Sequence, residues 1–201
     1  MKIIAICGIS GSGKTTIAKR MAQNYSDKIM DLSQDAYYKS YDEYTIQERK
    51  NINYDSPDAF DIKLLEKQLK ELKEGKEIDY PIYSFSEYSR IGNKKMKPKE
   101  LVVIDGMLVL HFKEIRELLD DSIFLDCEDN IALDRMLRRD VIERNRTEDE
   151  IIKRYKRDIK PMNELYVKPQ KSYANKIITT NDNFDNTYKS IKIYLKEKDY
   201  I

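Results

Sequence analysis

Apolar positions along the chain come in two rhythms: short, nearly continuous runs, and longer stretches in which they recur every three or four residues. "KIIAIC" (residues 2–7) reads as a buried strand, 14–24 as a helix and 29–32 as a second short strand, which together make a βαβ unit. A helix is predicted from Ser56 and Pro57 to Gly75, with Leu64, Leu65, Leu69 and Leu72 on one face. The stretch at about 78–96, "EIDYPIYSFSEYSRIGNKKM", alternates and contains a Pro and a Gly turn, so it reads as a small β-hairpin apart from the main sheet. "LVVID", "SIFLD" and "KIIT" are three further apolar segments separated by helical stretches. The pattern predicts an α/β fold: a doubly wound sheet of about five parallel strands with helices on both faces, whose ligands bind beyond the carboxyl ends of the strands.

Composition narrows this picture. No Pro/Gly/Ser-rich linker interrupts the 201 residues, so a single domain over 1–201 is expected. With 37 Lys+Arg against 36 Asp+Glu the net charge is +1, which excludes a global field for nucleic acid or for an anionic membrane. Cys7 and Cys127 each adjoin an apolar run and are expected to be buried, reduced thiols, as in a cytoplasmic protein. No apolar stretch approaches the roughly 18 residues of a membrane span, and the N-terminal run is too short for a signal peptide.

The most specific motif is "GISGSGKTT", residues 8–16, which places G-x-x-x-x-G-K-[ST] between a predicted strand and a predicted helix. Such a loop wraps nucleotide phosphates. Gly8, Ser10, Gly11, Ser12, Gly13, Lys14, Thr15 and Thr16 are the expected ATP contacts, with Lys14 reaching the terminal phosphates and the Thr15 hydroxyl on Mg²⁺.

Residues farther along point to the fate of that phosphate. Asn93-Lys94-Lys95-Met96 lacks the Asp of a base-reading N-K-x-D, and Asp105-Gly106 is not a D-x-x-G, which argues against a GTPase switch. The length suits a small-molecule kinase better than a motor or transporter ATPase. Asp35, in "DLSQDAYY", follows the second strand, where a carboxylate can take the proton of an attacking hydroxyl and also touch the metal. Asp105 ends "LVVID" in the position of a metal-holding acid. "DRMLRRDVIERNR" gathers Arg135, Arg138, Arg139, Arg144 and Arg146 into a predicted Arg-rich helical lid at about 135–160 that closes over ATP and excludes water. Arg138 is read as a surface salt-bridge residue, and the lone His111 as structural.

Taken in order, "GISGSGKTT", "LSQDAYYK", "NYDSPDAFD", "PIYSFSEYSR", "RRDVIERNR" and "YVKPQKSYANKII" resemble the uridine/cytidine kinases over nearly the whole chain. The resemblance implies transfer of the ATP γ-phosphate to the 5′-hydroxyl of a pyrimidine ribonucleoside. By this likeness Asp35 is the catalytic base, Asp55 binds the ribose hydroxyls, and Tyr83 and Phe85 enclose the base. Arg139 and Arg144 belong to the ATP lid, Arg146 reaches toward the nucleoside or the moving phosphate, and the loop near Asn183 lines the adenine. It further implies a tetramer restrained by pyrimidine nucleoside triphosphates, and a place in pyrimidine salvage. Asp55 also sits just before Ser56-Pro57, in a loop that a helix start would fix, and one carboxylate can accept from two vicinal hydroxyls.

Five positions depart from the family pattern. Met136 stands for Arg and Arg154 for Gln, both where the nucleoside is held; Asn145 stands for the lid Gly, Asp105 for Glu, and Tyr88 for His. Arg135 or Arg154 is expected to compensate for Met136. If the Tyr88 hydrogen is committed to a neighbouring acceptor, its oxygen can only accept, and cytidine is expected over uridine. A related kinase acting on another small alcohol, and a nucleotide-binding regulator with little turnover, are the alternative readings.

Overall fold

The computed structural model describes residues 1–144, 146–181 and 183–201. In chain order its elements begin with β1 (Lys2–Gly8), α1 (Lys14–Asn24), β2 (Ile29–Ser33) and the short α2 (Ile46–Arg49). They continue with α3 (Ile62–Lys73), the hairpin strands β3 (Ile78–Ser84) and β4 (Ser89–Met96), β5 (Leu101–Gly106), the short α4 (Lys113–Arg116) and β6 (Asp121–Asp126). The C-terminal third holds α5 (Asp129–Glu143), α6 (Glu148–Arg154), α7 (Lys160–Met162), β7 (Lys176–Thr179) and α8 (Phe184–Glu197).

The main sheet has five parallel strands in the order β2-β5-β1-β6-β7, as expected, and β3 and β4 pair separately. Strand period two sorts the side chains between two layers. Ile3, Ala5 and Cys7 face a core built with Tyr37, Phe60, Leu65 and Leu69. Ile4 and Ile6 face the opposite layer, against Ile17 and Met21 of α1 and Ile191 and Leu195 of α8. Both cysteines are buried and free. His111 packs edge-on against Phe112 and Tyr166, and burial holds its imidazole below its usual pKa.

The helix predicted from Ser56 to Gly75 is not continuous. Pro57–Ala59 forms one tight turn, Phe60 is extended, and α3 starts only at Ile62, where the Asp61 carboxylate caps Leu64 N at 3.1 Å. The break arises because Phe60 bridges to Tyr38 and stacks on its ring at 4.5 Å, a tertiary contact that an unbroken helix would lose.

Past β6 the chain forms a helical arm whose Ala132 backbone lies against Gly11. α5 runs to Glu143, and α6 opens with a Thr147–Glu150 capping box. Two wider π-helical turns, Tyr155–Ile159 and Asn163–Val167, flank α7. Met136, Ile151 and Ile159 give this arm a small apolar cluster of its own. Among the described residues no helix is long and apolar enough to cross a membrane.

Candidate active site

The strand register assembles the site. Asp105 of β5 is paired with Ile6 of β1 on one side and with Ser33 of β2 on the other, so three strand ends lie abreast. The loop after β1, the Asp105 carboxylate and the turn carrying Asp35 therefore meet at one edge.

The glycine loop has the shape its motif requires. Gly11 (φ +85°) passes so close to the Ala132 backbone that a Cβ there has no room, and Gly13 (φ +94°) enters α1 in the left-handed region. α1 begins without a side-chain cap, which leaves its first N–H groups for a ligand. Open space lies over Gly13, and the buried Ser12 hydroxyl has no hydrogen-bond partner among the described residues. An unclaimed helix start, an orphan hydroxyl and an open cradle fit a polyphosphate. Lys14 Nζ rests on the Ile9 carbonyl at 3.0 Å; burial pulls its pKa down while Asp35 and Asp105 oppose that.

The acids differ in how they are engaged. Asp105 is buried and accepts the Thr15 hydroxyl; burial pushes its carboxyl up to about 7 against that hydrogen bond. Asp35 lies half-buried on the turn Gln34–Tyr37, and its carboxylate has no hydrogen bond or salt bridge among the described residues. Thr15, Asp105 and Asp35 offer hard oxygen donors of the kind Mg²⁺ takes, with the remaining ligands left to phosphate and water.

Two cavities meet at Asp35. A wide cleft of about 1400 Å³ runs along the glycine loop to Thr180, Asn183 and Phe184. A narrow pocket of about 60 Å³ lies between the hairpin and α5–α6. Lys14, Thr15, Asp35, Tyr83, Phe85, Arg139 and Arg144 line both.

The narrow pocket is walled by aromatics. β3 carries a bulge between Ile82 and Tyr83 and ends at Ser84, so Phe85 lies just beyond the strand. Tyr83 and Phe85 nevertheless both line the pocket, their rings edge to face at 5.5 Å. Tyr88 sits at the hairpin turn with φ +51°, and its ring approaches that of Tyr54 at 5.7 Å. The hydroxyls of Tyr54 and Tyr83 are buried close to each other, and neither has another hydrogen-bond partner among the described residues. The Tyr88 oxygen accepts from Arg146 at 3.3 Å, and no acceptor takes its hydrogen among the described residues. The condition on which a cytidine preference rested is thus not met.

The arginines are distributed by Asp140. Its buried carboxylate binds Arg139 at 2.7 Å, Arg146 at 3.0 Å and Arg144 at 3.5 Å. Arg144 lies over the Phe85 ring at 4.2 Å. Arg138 pairs with Asp134 on the exposed face, as its spacing suggested. Arg135 donates to the Thr180 carbonyl and lines the wide cleft, whereas Arg154 lines the narrow pocket and binds Asp55 at 2.9 Å. Of the two arginines expected to compensate for Met136, only Arg154 lines the narrow pocket. Met136 itself is buried in the lid cluster. The departure at Asn145 falls outside the described residues.

Asp140, Tyr38 and Tyr54 were missed as site residues in the sequence. For Asp140 a signal existed: it is one of three acids, with Asp134 and Glu143, set among five arginines that need balancing charge. Tyr38 and Tyr54 gave no such sign in a chain with 15 tyrosines.

Comparison with known proteins gives the family. The Phosphoribulokinase / Uridine kinase family matches residues 3–196. The chain is 42% identical over 179 residues to a uridine kinase of Lactobacillus helveticus (strain DPC 4571), covering 88% of this chain and 85% of that one. It is 40% identical over 178 residues to a uridine kinase of Ligilactobacillus salivarius (strain UCC118), covering 88% and 84%. Phosphoribulokinase from Rhodobacter spheroides shares the fold at a TM-score of 0.61 and 17% identity, over 89% of this chain and 69% of that one. The chain belongs to the phosphoribulokinase/uridine kinase family of P-loop kinases.

Proposed function

We propose that the protein transfers the γ-phosphoryl group of ATP to the 5′-hydroxyl of a pyrimidine ribonucleoside. The observation that carries this reading is the unpartnered Asp35 carboxylate where the two cavities meet. The wide cleft takes ATP, with its phosphates on Gly8 to Thr16 and its adenine toward Asn183. The narrow pocket takes the nucleoside, with the ribose at Asp55 and the base among Tyr83, Phe85 and Tyr88.

The chemistry then needs little from the protein beyond placement and charge. The 5′-oxygen forms a bond to the γ-phosphorus as the bond to the β–γ bridging oxygen breaks, ADP leaves, and Asp35 takes the hydroxyl proton. Lys14, Arg139 and Arg144 stabilise charge on the moving group. Thr15, Asp105 and Asp35 would hold Mg²⁺, which would supply positive charge to neutralise the phosphates.

Uracil suits the pocket better than cytosine. Tyr88 accepts from Arg146 and keeps its own hydrogen, so it donates toward position 4 of the base, where uracil has a carbonyl and cytosine an amino group. The same reading assigns the enzyme to pyrimidine salvage in the cytoplasm, as a single kinase domain whose hairpin and lid enclose the acceptor, and as a homotetramer.

A panel of nucleosides and sugars with Mg·ATP, read by ADP release, tests the proposal. Uridine and cytidine are expected to be phosphorylated, uridine more efficiently. Turnover of a sugar but of neither nucleoside would establish a different acceptor, and ATP binding without any turnover a regulator.

A further inference from the structure

Arg154 ends α6, and the residue three places before it, Ile151, is buried in the lid cluster with Met136 and Ile159. That anchor leaves the guanidinium free to cross to a carboxylate 99 positions away: Nη2 lies 2.9 Å from Asp55 Oδ2. The Asp55 side chain is only 4% exposed and that of Arg154 23%. Burial lowers the Arg154 pKa, but Asp55 outweighs it and the net shift is upward. A carboxylate taken this far out of water is strongly disfavoured without its cation. Tyr38 and Tyr54, which line the same pocket, bring no charge, and the pocket's other arginines, Arg139, Arg144 and Arg146, are paired with Asp140. Arg154 uses one carboxylate oxygen only. Oδ1 has no hydrogen bond among the described residues, which leaves it to accept from a ligand.

We propose that Arg154 is a positioning residue that holds the Asp55 carboxylate oriented as an acceptor for two vicinal hydroxyls, and thereby sets the preference for ribonucleosides over 2′-deoxyribonucleosides. The proposal rests on the nucleoside-kinase reading above. Both ribose hydroxyls donate to Asp55, one to Oδ1 and one to the remaining lone pair of Oδ2. A 2′-deoxyribonucleoside gives up one of these charge-assisted bonds and gains less from the ion pair.

The test compares kcat and KM for uridine and 2′-deoxyuridine at saturating Mg·ATP in the wild type, Arg154→Met and Arg154→Lys. Arg154→Met is expected to raise the uridine KM tenfold or more, to change the 2′-deoxyuridine KM by less than about threefold and to leave kcat on uridine within about threefold, so that the ribose preference collapses. Arg154→Lys, which keeps a cation, should recover part of that preference. Equal losses on both nucleosides would mean that the pair only tethers the lid, and an unchanged uridine KM would remove any role; either result overturns the proposal. Where 2′-deoxyuridine turnover is too slow to follow, calorimetric binding of the two nucleosides makes the same comparison. Should Arg154→Met not fold, Arg154→Gln takes its place. A wild type that binds neither nucleoside would sink the nucleoside reading itself, an outcome distinct from a ribose preference that does not move.

Discussion

Asp55, Asp105 and Asp140 are each committed to a neighbouring donor, whereas Asp35 is not. A general base must be free to take a proton, so Asp35→Asn is expected to lower kcat at least 10²-fold while ATP binding, measured by calorimetry, stays within a few-fold. Asp105 behaves differently because its carboxyl, raised to about 7 by burial, is held in the folded protein at a pH where the unfolded chain ionises it freely. The native state therefore binds more protons between about pH 4 and 7, and stability contributed by this group falls as pH rises through that window. Asp105→Asn removes the penalty. In the absence of Mg·ATP its melting temperature at pH 8 is expected to exceed that of the wild type by roughly 2–4 °C for each kcal/mol relieved, even as turnover collapses. A variant no more stable than the wild type would contradict that account. On the proposed orientation of the base, Tyr88→Phe deletes one donor toward it; at about 0.5–1.5 kcal/mol for a neutral hydrogen bond, uridine kcat/KM should fall roughly two- to tenfold while cytidine changes less. Competing the two nucleosides in one assay measures the ratio directly.

The proposed lid is the arm formed by α5 and α6. It carries Arg139, Arg144, Arg146 and Arg154, yet among the described residues its own apolar cluster has three buried side chains, with Leu133, Leu137 and Tyr155 partly buried against them. So small a core leaves the arm near the low end of local stability, which suits a part that opens and closes. Ile151→Ala, a truncation that costs about 2–5 kcal/mol in a well-packed core, is expected to loosen the arm more than the sheet. Water then reaches the phosphates. ADP release without nucleoside should rise severalfold, while nucleoside-dependent turnover falls. If uncoupled hydrolysis stays at the wild-type level, the arm is not what excludes water.

Across the whole molecule, the nucleotide cleft is bounded by the glycine loop on one side of the strand ends and by the loop before α8 on the other, with the arm along its flank. A ligand that bridges these parts stabilises the assembly by mass action. Mg·ATP at a hundredfold over its Kd contributes about 2.7 kcal/mol, which corresponds to a rise in melting temperature of roughly 5–11 °C for a chain of this size. Differential scanning fluorimetry checks this, and the Lys14→Ala variant should lose most of the shift.

Strand positions, the phosphate loop and the two acids at the strand ends were legible in the chain alone, because each is encoded within a few residues. A buried parallel strand must be a continuous apolar run, and a loop that wraps phosphate must have glycine where Gly11 and Gly13 take positive φ. The split of the expected Ser56–Gly75 helix could not be read this way, since it depends on Phe60 meeting Tyr38. Nor could the pairing of Arg154 with Asp55, the gathering of three arginines on Asp140, or the direction of the Tyr88 hydrogen bond. Residue identity sets what a side chain can donate or accept, but which partner it meets, and which hydrogen is left for a ligand, follows from how elements distant in sequence pack.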